Sequence, residues 1–257
     1  MSRFFGVLRH EFNMSIRRPG LWIAYGLLFV FYTLSVFWQS PTASKIVLTE
    51  NDVLQFAGRM GFTFNLFLPV AAGILAADRM QRDFRLGVRE LQLSTPLRVM
   101  VYILAKYLGV TFAFLLPILI WILITTSVLI LQGTAPLSLL YTMSLAFFSM
   151  TLPAIAFVTA FSLACPLIMP LRVYQILFTG YWFWGNYLNR DEFPTLSGTY
   201  LTPGGMLVLD GFFGGFAGST PLYTSTDATL SLITLGLSIL AVILTLKFYL
   251  EHQVRRA

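Results

Sequence analysis

The sequence predicts an all-α polytopic membrane protein with six transmembrane helices. The 257 residues are 57% hydrophobic and only 11% charged, with a mean hydropathy of +0.76. A soluble domain carries about 25% charged residues, which cover its surface. Apolar runs recur along the whole chain, and the basic residues gather on one side of them. We therefore expect lipid to be the solvent for much of this protein.

The predicted spans are runs of mostly apolar residues, because a helix needs about 20 of them to cross a bilayer. They cover residues 21–38, 53–77, 107–131, 137–164, 173–188 and 230–250. The first run is long and no small-residue cleavage site follows it, so we expect it to remain as a span. No polar stretch is long enough to fold alone, and residues 1–257 are predicted to form one membrane domain.

The distribution of Lys and Arg predicts the orientation. With the N-terminus in the cytoplasm, six spans return the C-terminus to the same side, and 14 of the 17 basic residues become cytoplasmic. The outer side holds only Lys45, Arg59 and Arg190. Cytoplasmic loops carry an excess of positive charge. We expect a multi-pass protein of the inner (cytoplasmic) membrane with both termini inside.

Residues 2–18 are predicted to form an interfacial helix before the first span. Apolar side chains recur every four residues along one face: Phe4, Leu8, Phe12 and Ile16. Glu11 and Arg18 interrupt that face, so the pattern is imperfect. Pro19 and Gly20 favour a break after the helix. The alternative is a helix that simply extends the first span.

The segment 78–106, between the second and third spans, is the most informative. Three arginines spaced three or four apart would form a basic stripe on a helix: Arg82, Arg85 and Arg89. Thr95 before Pro96 is a helix-start signal, which predicts that the helix of the third span begins there and passes Lys106 at the interface. The arginines could simply bind anionic headgroups. Glu90 and the alternating Leu91 and Leu93 favour a protein-docking surface instead.

The outer segment 189–229 contains an apolar, glycine-rich stretch, Met206–Phe216, which is too short to span. It predicts a re-entrant or interfacial hairpin that shields Asp210, the alternative being a plain loop on the membrane. The aromatic end of the fifth span predicts either an anchor at the headgroups or a substrate-contacting wall. Four residues are candidates for the substrate pathway: Asn65, Phe178, Trp182 and Asn186.

The chain lacks the motifs of an energy source or of catalysis. It has no G-x-x-x-x-G-K-[ST], no H-E-x-x-H and no G-x-S-x-G. His10 and His252 lie in the tails, Cys165 is interpreted as a packing residue, and no metal site is predicted. No carboxylate is evident within the spans, where ion-coupled pumps need them. We expect a non-enzymatic protein without a cofactor of its own, to which force is applied by a partner.

One stretch resembles a known family. Its pattern is Arg85, Gly87, Glu90, Leu91, Ser94, Thr95, Pro96 and Arg98, continuing to Lys106. It is similar to the loop between the second and third spans of ABC transporter type-2 permeases, which are six-span membrane subunits of exporters. In that family a threonine commonly follows the glycine, where this chain has Val88.

The resemblance implies an assembly of two permease subunits, identical or related, with two ATP-binding subunits that hold ATP and Mg²⁺. It implies that the loop docks on the ATPase through Arg85, Gly87, Arg89, Glu90, Leu91, Thr95 and Pro96. The turn 166–170 would be a second contact. The apolar spans favour an amphipathic substrate, and no nucleic acid is expected. The alternative function is a membrane scaffold or sensor that has the same fold but does not transport.

The predicted orientation can be tested by labelling single cysteines. In a Cys165→Ser background, a membrane-impermeant maleimide should label Lys45→Cys and Arg190→Cys in intact cells. It should label Arg85→Cys only after the cells are opened, because that residue is predicted to be cytoplasmic. The reverse pattern would contradict the orientation.

Overall fold

The structure is a computed structural model that describes residues 2–38, 48–87, 98–216 and 218–256, and the regular structure of these ranges is all helical. The α-helices are α1 (Ser2–Ile16), α2 (Pro19–Trp38), α3 (Val53–Ala76), α4 (Asp78–Arg85), α5 (Val99–Leu131), α6 (Ser138–Ala146), α7 (Leu152–Ala164), α8 (Leu171–Tyr187), α9 (Met206–Phe213) and α10 (Ser225–Arg256). A π-helix, Phe147–Thr151, joins α6 to α7, and a 3-10 turn, Cys165–Leu167, follows α7. The all-α prediction is confirmed.

Four helical stretches of the described residues are long and apolar enough to cross a membrane. They are Val53–Asp83, Val99–Leu131, Ser138–Leu167 and Ser225–Gln253. The apolar part of α2, Pro19–Ser35, is shorter, and α8 has 17 residues. The protein is therefore multi-pass. The count of six spans, which needs α2 and α8 as well, stays a prediction.

Helix α3 is the centre of the bundle, in contact with α2, α6, α7, α8 and α9. In its most apolar window 56% of the residues are buried inside the protein, against 22% for α10. Small residues let neighbouring helices come close. A Cβ atom on Gly58 would lie 2.3 Å from Cβ of Phe213 on α9. A Cβ atom on Gly73 would lie 2.4 Å from Cε1 of Phe178 on α8. Because Gly58 and Gly73 have no side chains, α9 and α8 can pack directly against α3.

The two ends of the bundle differ. One end, called here the α1 end, carries α1, α4, the turn after α7 and the last turns of α10. Helix α4 continues α3 with only Ala77 between them. Helix α1 lies along α5, where a Cβ on Gly109 would lie 2.8 Å from the carbonyl oxygen of Leu8. Pro19 begins α2, so the chain breaks between α1 and α2.

The opposite end carries the long segment between α8 and α10, including α9. Helix α9 starts after Gly205 and ends before Gly214, both in the left-handed conformation that favours glycine. Its Leu209 and Phe213 are buried. Asp210 is 6% exposed and accepts the backbone N–H of Leu222 at 3.0 Å. Asp210 is thus shielded by protein, and the re-entrant hairpin stays a prediction.

Helix α10 begins with a capping box. Thr224 donates its backbone N–H to Oδ2 of Asp227 at 2.9 Å, and Asp227 donates its own N–H to Oγ1 of Thr224. Tyr200 donates its hydroxyl to Oδ1 of Asp227 at 2.9 Å, and this hydrogen bond raises the pKa of Tyr200. The capping box therefore fixes the start of α10 at the end of the segment between α8 and α10.

Because α9 fits closely on α3, adding one methyl group at Gly58 is predicted to lower the stability of the protein. Gly58→Ala should lower stability by about 1–3 kcal/mol, because the new Cβ overlaps Phe213. Gly236→Ala is the control: it lies in α10 with no atom near its Cβ position, so it should leave stability unchanged or raise it by about 0.4–1 kcal/mol. Thermal unfolding in detergent measures both. Equal effects would contradict the packing described for α9.

Candidate functional site

Three segments meet in one cleft at the α1 end. Gln81 of α4 donates from Nε2 to the carbonyl oxygens of Pro166 and Met169, the latter at 3.3 Å. Tyr249 of α10 contacts the carbonyl oxygen of Leu167 and accepts a 2.7 Å hydrogen bond from Gln253. The cleft has a volume of about 280 Å³. Its lining residues are Gln81, Arg85, Pro166, Leu167, Tyr249 and Gln253.

The surface around this cleft is basic and partly apolar. We call it the docking face and define it by five exposed residues: Arg82, Arg85, Leu86, Ile168 and Arg172. Leu86 is 64% exposed and Ile168 is 71% exposed. Within the part of the chain that the structure describes, no carboxylate pairs with the three arginines. The face therefore combines three arginines with exposed apolar side chains.

The predicted coupling residues lie only partly within the structure. Arg85 is exposed, and its nearest polar contact is Oε1 of Gln81 at 3.5 Å. Gly87 has a φ of +67°, the left-handed conformation in which glycine terminates helices, so it ends α4. The other five lie outside the described residues: Arg89, Glu90, Leu91, Thr95 and Pro96.

A buried ion network lies directly behind the docking face. Lys106 of α5 is fully buried, and its Nζ lies 2.7 Å from Oε1 of Glu11 and 2.7 Å from Oδ2 of Asp83. Tyr102, one turn earlier on α5, donates its hydroxyl to the same Asp83 oxygen. Charge-assisted hydrogen bonds of this length are among the strongest in proteins. Lys106 is enclosed by α1 and α4, and its position at the membrane interface stays a prediction.

A second pair joins the link between α1 and α2 to the junction of α3 and α4. Arg18 donates from Nη1 and Nη2 to the two carboxylate oxygens of Asp78, each at 2.9 Å. Arg79 is 1% exposed and directs Nη2 toward the carbonyl oxygen of Met14 at 3.5 Å. Three cations and three carboxylates meet in this region, so their formal charges cancel: Lys106, Arg79, Arg18, Glu11, Asp83 and Asp78.

Charged residues that interrupt apolar patterns in the sequence pointed to this network, but the hydropathy pattern did not show that they pair with one another. Glu11 and Arg18 are the two residues that interrupt the apolar face predicted for residues 2–18, and each is paired with a residue outside that segment. Lys106 interrupts the apolar run that begins at Val99. A charge on an otherwise apolar face requires a partner of opposite sign.

The four predicted substrate-pathway residues are buried, and two of them meet. Asn65 donates from Nδ2 to the carbonyl oxygen of Gly204 at 3.4 Å. Asn186 accepts the backbone N–H of the same Gly204 at 2.7 Å. Trp182 is fully buried and Phe178 is 7% exposed, so both are core residues within one chain. The two asparagines thus hold Gly204 of the outer segment against α3 and α8.

A family model described as "ABC-2 family transporter protein" matches residues 6–173. The match covers more than half of the chain and includes α1, the ion network and the docking face. The chain belongs to the ABC-2 transporter family. This confirms the family resemblance, and with the apolar helices it identifies the chain as a membrane-embedded permease domain of an ABC transporter. No curated protein is significantly similar to the sequence.

The ion network predicts that substituting Lys106 lowers stability much more than substituting Lys247. Lys106→Met should lower stability by about 3–5 kcal/mol, because it leaves Glu11 and Asp83 buried without their cation. Lys247→Met is the matched control, since Lys247 is partly exposed and 3.7 Å from Glu251, and such pairs contribute about 0–1 kcal/mol. Melting temperatures in detergent provide the comparison. If Lys106→Met melts like the parent, the burial of the network is wrong.

Proposed function

We propose that this chain is the permease subunit of an ABC exporter and that a separate ATP-binding subunit drives it by docking on the docking face. One observation carries the proposal. The hydrogen bonds from Gln81 to Pro166 and Met169 bring the two segments predicted to contact the ATPase together into one surface. Those segments are more than 80 residues apart along the chain.

The chemistry of the docking face supports a protein partner over lipid alone. Interfaces combine apolar side chains with arginine more than other surfaces do. Leu86 and Ile168 supply the apolar part, and they lie at the same end of the bundle as the three arginines of the docking face. An acidic patch on the ATP-binding subunit would complement these arginines and guide its approach. The end of α10 belongs to the same surface through Tyr249 and Gln253.

The assembly that follows has two permease subunits and two ATP-binding subunits, which hold ATP and Mg²⁺. The docking face and both termini lie in the cytoplasm, and α2 and α8 complete the six spans. Exposed apolar side chains of α2, α5 and α10 face lipid or the second permease. The substrate is an amphipathic molecule, and the pathway lies between the two permeases. Whether these are identical or related is left open.

The mechanism uses the continuity of α4 with α3. ATP-driven closure of the two ATP-binding subunits would displace the docking face. Because α3 packs on most of the other helices, a displacement of α4 would tilt the bundle and change the side from which the pathway is open. Binding energy at one end would thus alter helix packing at the other. The scaffold or sensor alternative would keep the docking face but need no such displacement.

Photo-crosslinking in the native cell tests this function and identifies the partner in the same experiment. A photoreactive residue at Leu86 or Ile168 should crosslink to a protein that mass spectrometry identifies as a P-loop ATPase. The control is Leu222, which is 77% exposed at the opposite end and should not crosslink to it. Adding Arg85→Glu and Arg172→Glu should reduce the crosslink, while Arg190→Glu should not. Absence of any ATPase from the crosslinked products would overturn the proposal.

A further inference from the structure

We infer that Lys106 is a positioning residue that makes α1, α4 and the start of α5 move as one unit when a partner acts on the docking face. The inference rests on the proposed function and extends it. Docking concerns exposed residues of α4 and the turn after α7. The inference concerns a buried side chain that touches no partner, and a helix, α1, that contributes no residue to the docking face.

The position of Asp83 links the docking face to the buried ion network. Asp83 lies one residue after Arg82 and two before Arg85, so the docking face and the ion network occupy the same two turns of α4. Arg82 and Arg85 are exposed on one side, while the carboxylate of Asp83 reaches Lys106 on the other. Any movement imposed on the exposed side of so short a helix must also move Asp83.

Lys106 passes that movement to two further helices. It is part of α5, a helix of 33 residues that runs the full length of the bundle. Its second carboxylate, Glu11, belongs to α1. Helix α1 also fits tightly on α5, where a Cβ on Gly109 would lie 2.9 Å from Cβ of Glu11. One ammonium group therefore joins three segments that lie far apart in the sequence.

The burial of the network makes this joint stiff. Exposed ion pairs open easily, because water replaces the lost partner. Lys106 is fully buried and Glu11 is 5% exposed, so separating them would leave charges in an apolar environment. Helices α1 and α4 and the start of α5 should therefore move together as one rigid unit. The pair of Arg18 and Asp78 ties the link after α1 to α4, but this pair is partly exposed and should break first.

Distance measurements by pulsed electron paramagnetic resonance test the joint in the purified full-length chain. Spin labels are placed in a Cys165→Ser background at His10 on α1 and Arg82 on α4, both exposed. The parent should give a narrow distance distribution. The triple variant Glu11→Gln, Asp83→Asn, Lys106→Met removes the charges of Lys106 and its two partners together, while Arg79 keeps the carbonyl oxygen of Met14 and the nearby carboxylate of Asp78. Its distribution should broaden, whereas Lys106→Arg should keep the narrow one.

The same variants, assembled with the ATP-binding subunit, test whether the joint is needed for movement driven by ATP. A label pair at His10 and Leu222 should change its distance when ATP is added to the parent complex. The triple variant should still bind the ATP-binding subunit, because its docking face is intact, but should lose this ATP-dependent change, and Lys106→Arg should restore it. An ATP response in the triple variant equal to the parent's overturns the inference. A chain that binds no ATP-binding subunit overturns the proposed function instead, while the first measurement still decides the joint.

Discussion

A lysine side chain placed in an apolar helix must find negative charge, and much of the α1 end follows from this requirement. Lys106 cannot reach water from its position on α5, so carboxylates have to come to it. One comes from α1 and the other from α4, and their arrival fixes both helices on the bundle. Two arginines of the docking face, Arg82 and Arg85, lie on the exposed side of α4, so their position depends on the buried side of the same helix, which carries Asp83.

The rest of the bundle depends on α3 in a different way. Its glycines and alanines let the neighbouring helices approach closely, and no charge is involved. Near its opposite end, Asn65 and Gly58 hold Gly204 and α9 of the outer segment. At the α1 end α3 continues into α4. The helical stretch Val53–Asp83 thus connects the proposed ATPase contact with the segment between α8 and α10, which is the arrangement that a permease driven from one side needs.

Composition and local patterns were sufficient to predict the helical class and the break at Pro19. Long-range pairing was not predictable, because one sequence does not show which polar residues meet. Glu11 was visible as an irregularity on an apolar face, but nothing local identified Lys106, 95 residues away, as its partner. Asn65 and Asn186 were chosen as pathway residues, and only the fold shows that both bind Gly204.

The central claim is that this permease works with an ATP-binding partner held on its basic end. Native mass spectrometry of the tagged chain, purified in mild detergent from its own membrane, tests it most directly. The account predicts an assembly containing two permease subunits and two copies of a P-loop ATPase. A chain that is recovered alone in several detergents, with no ATPase in any fraction, would contradict the account and favour the scaffold.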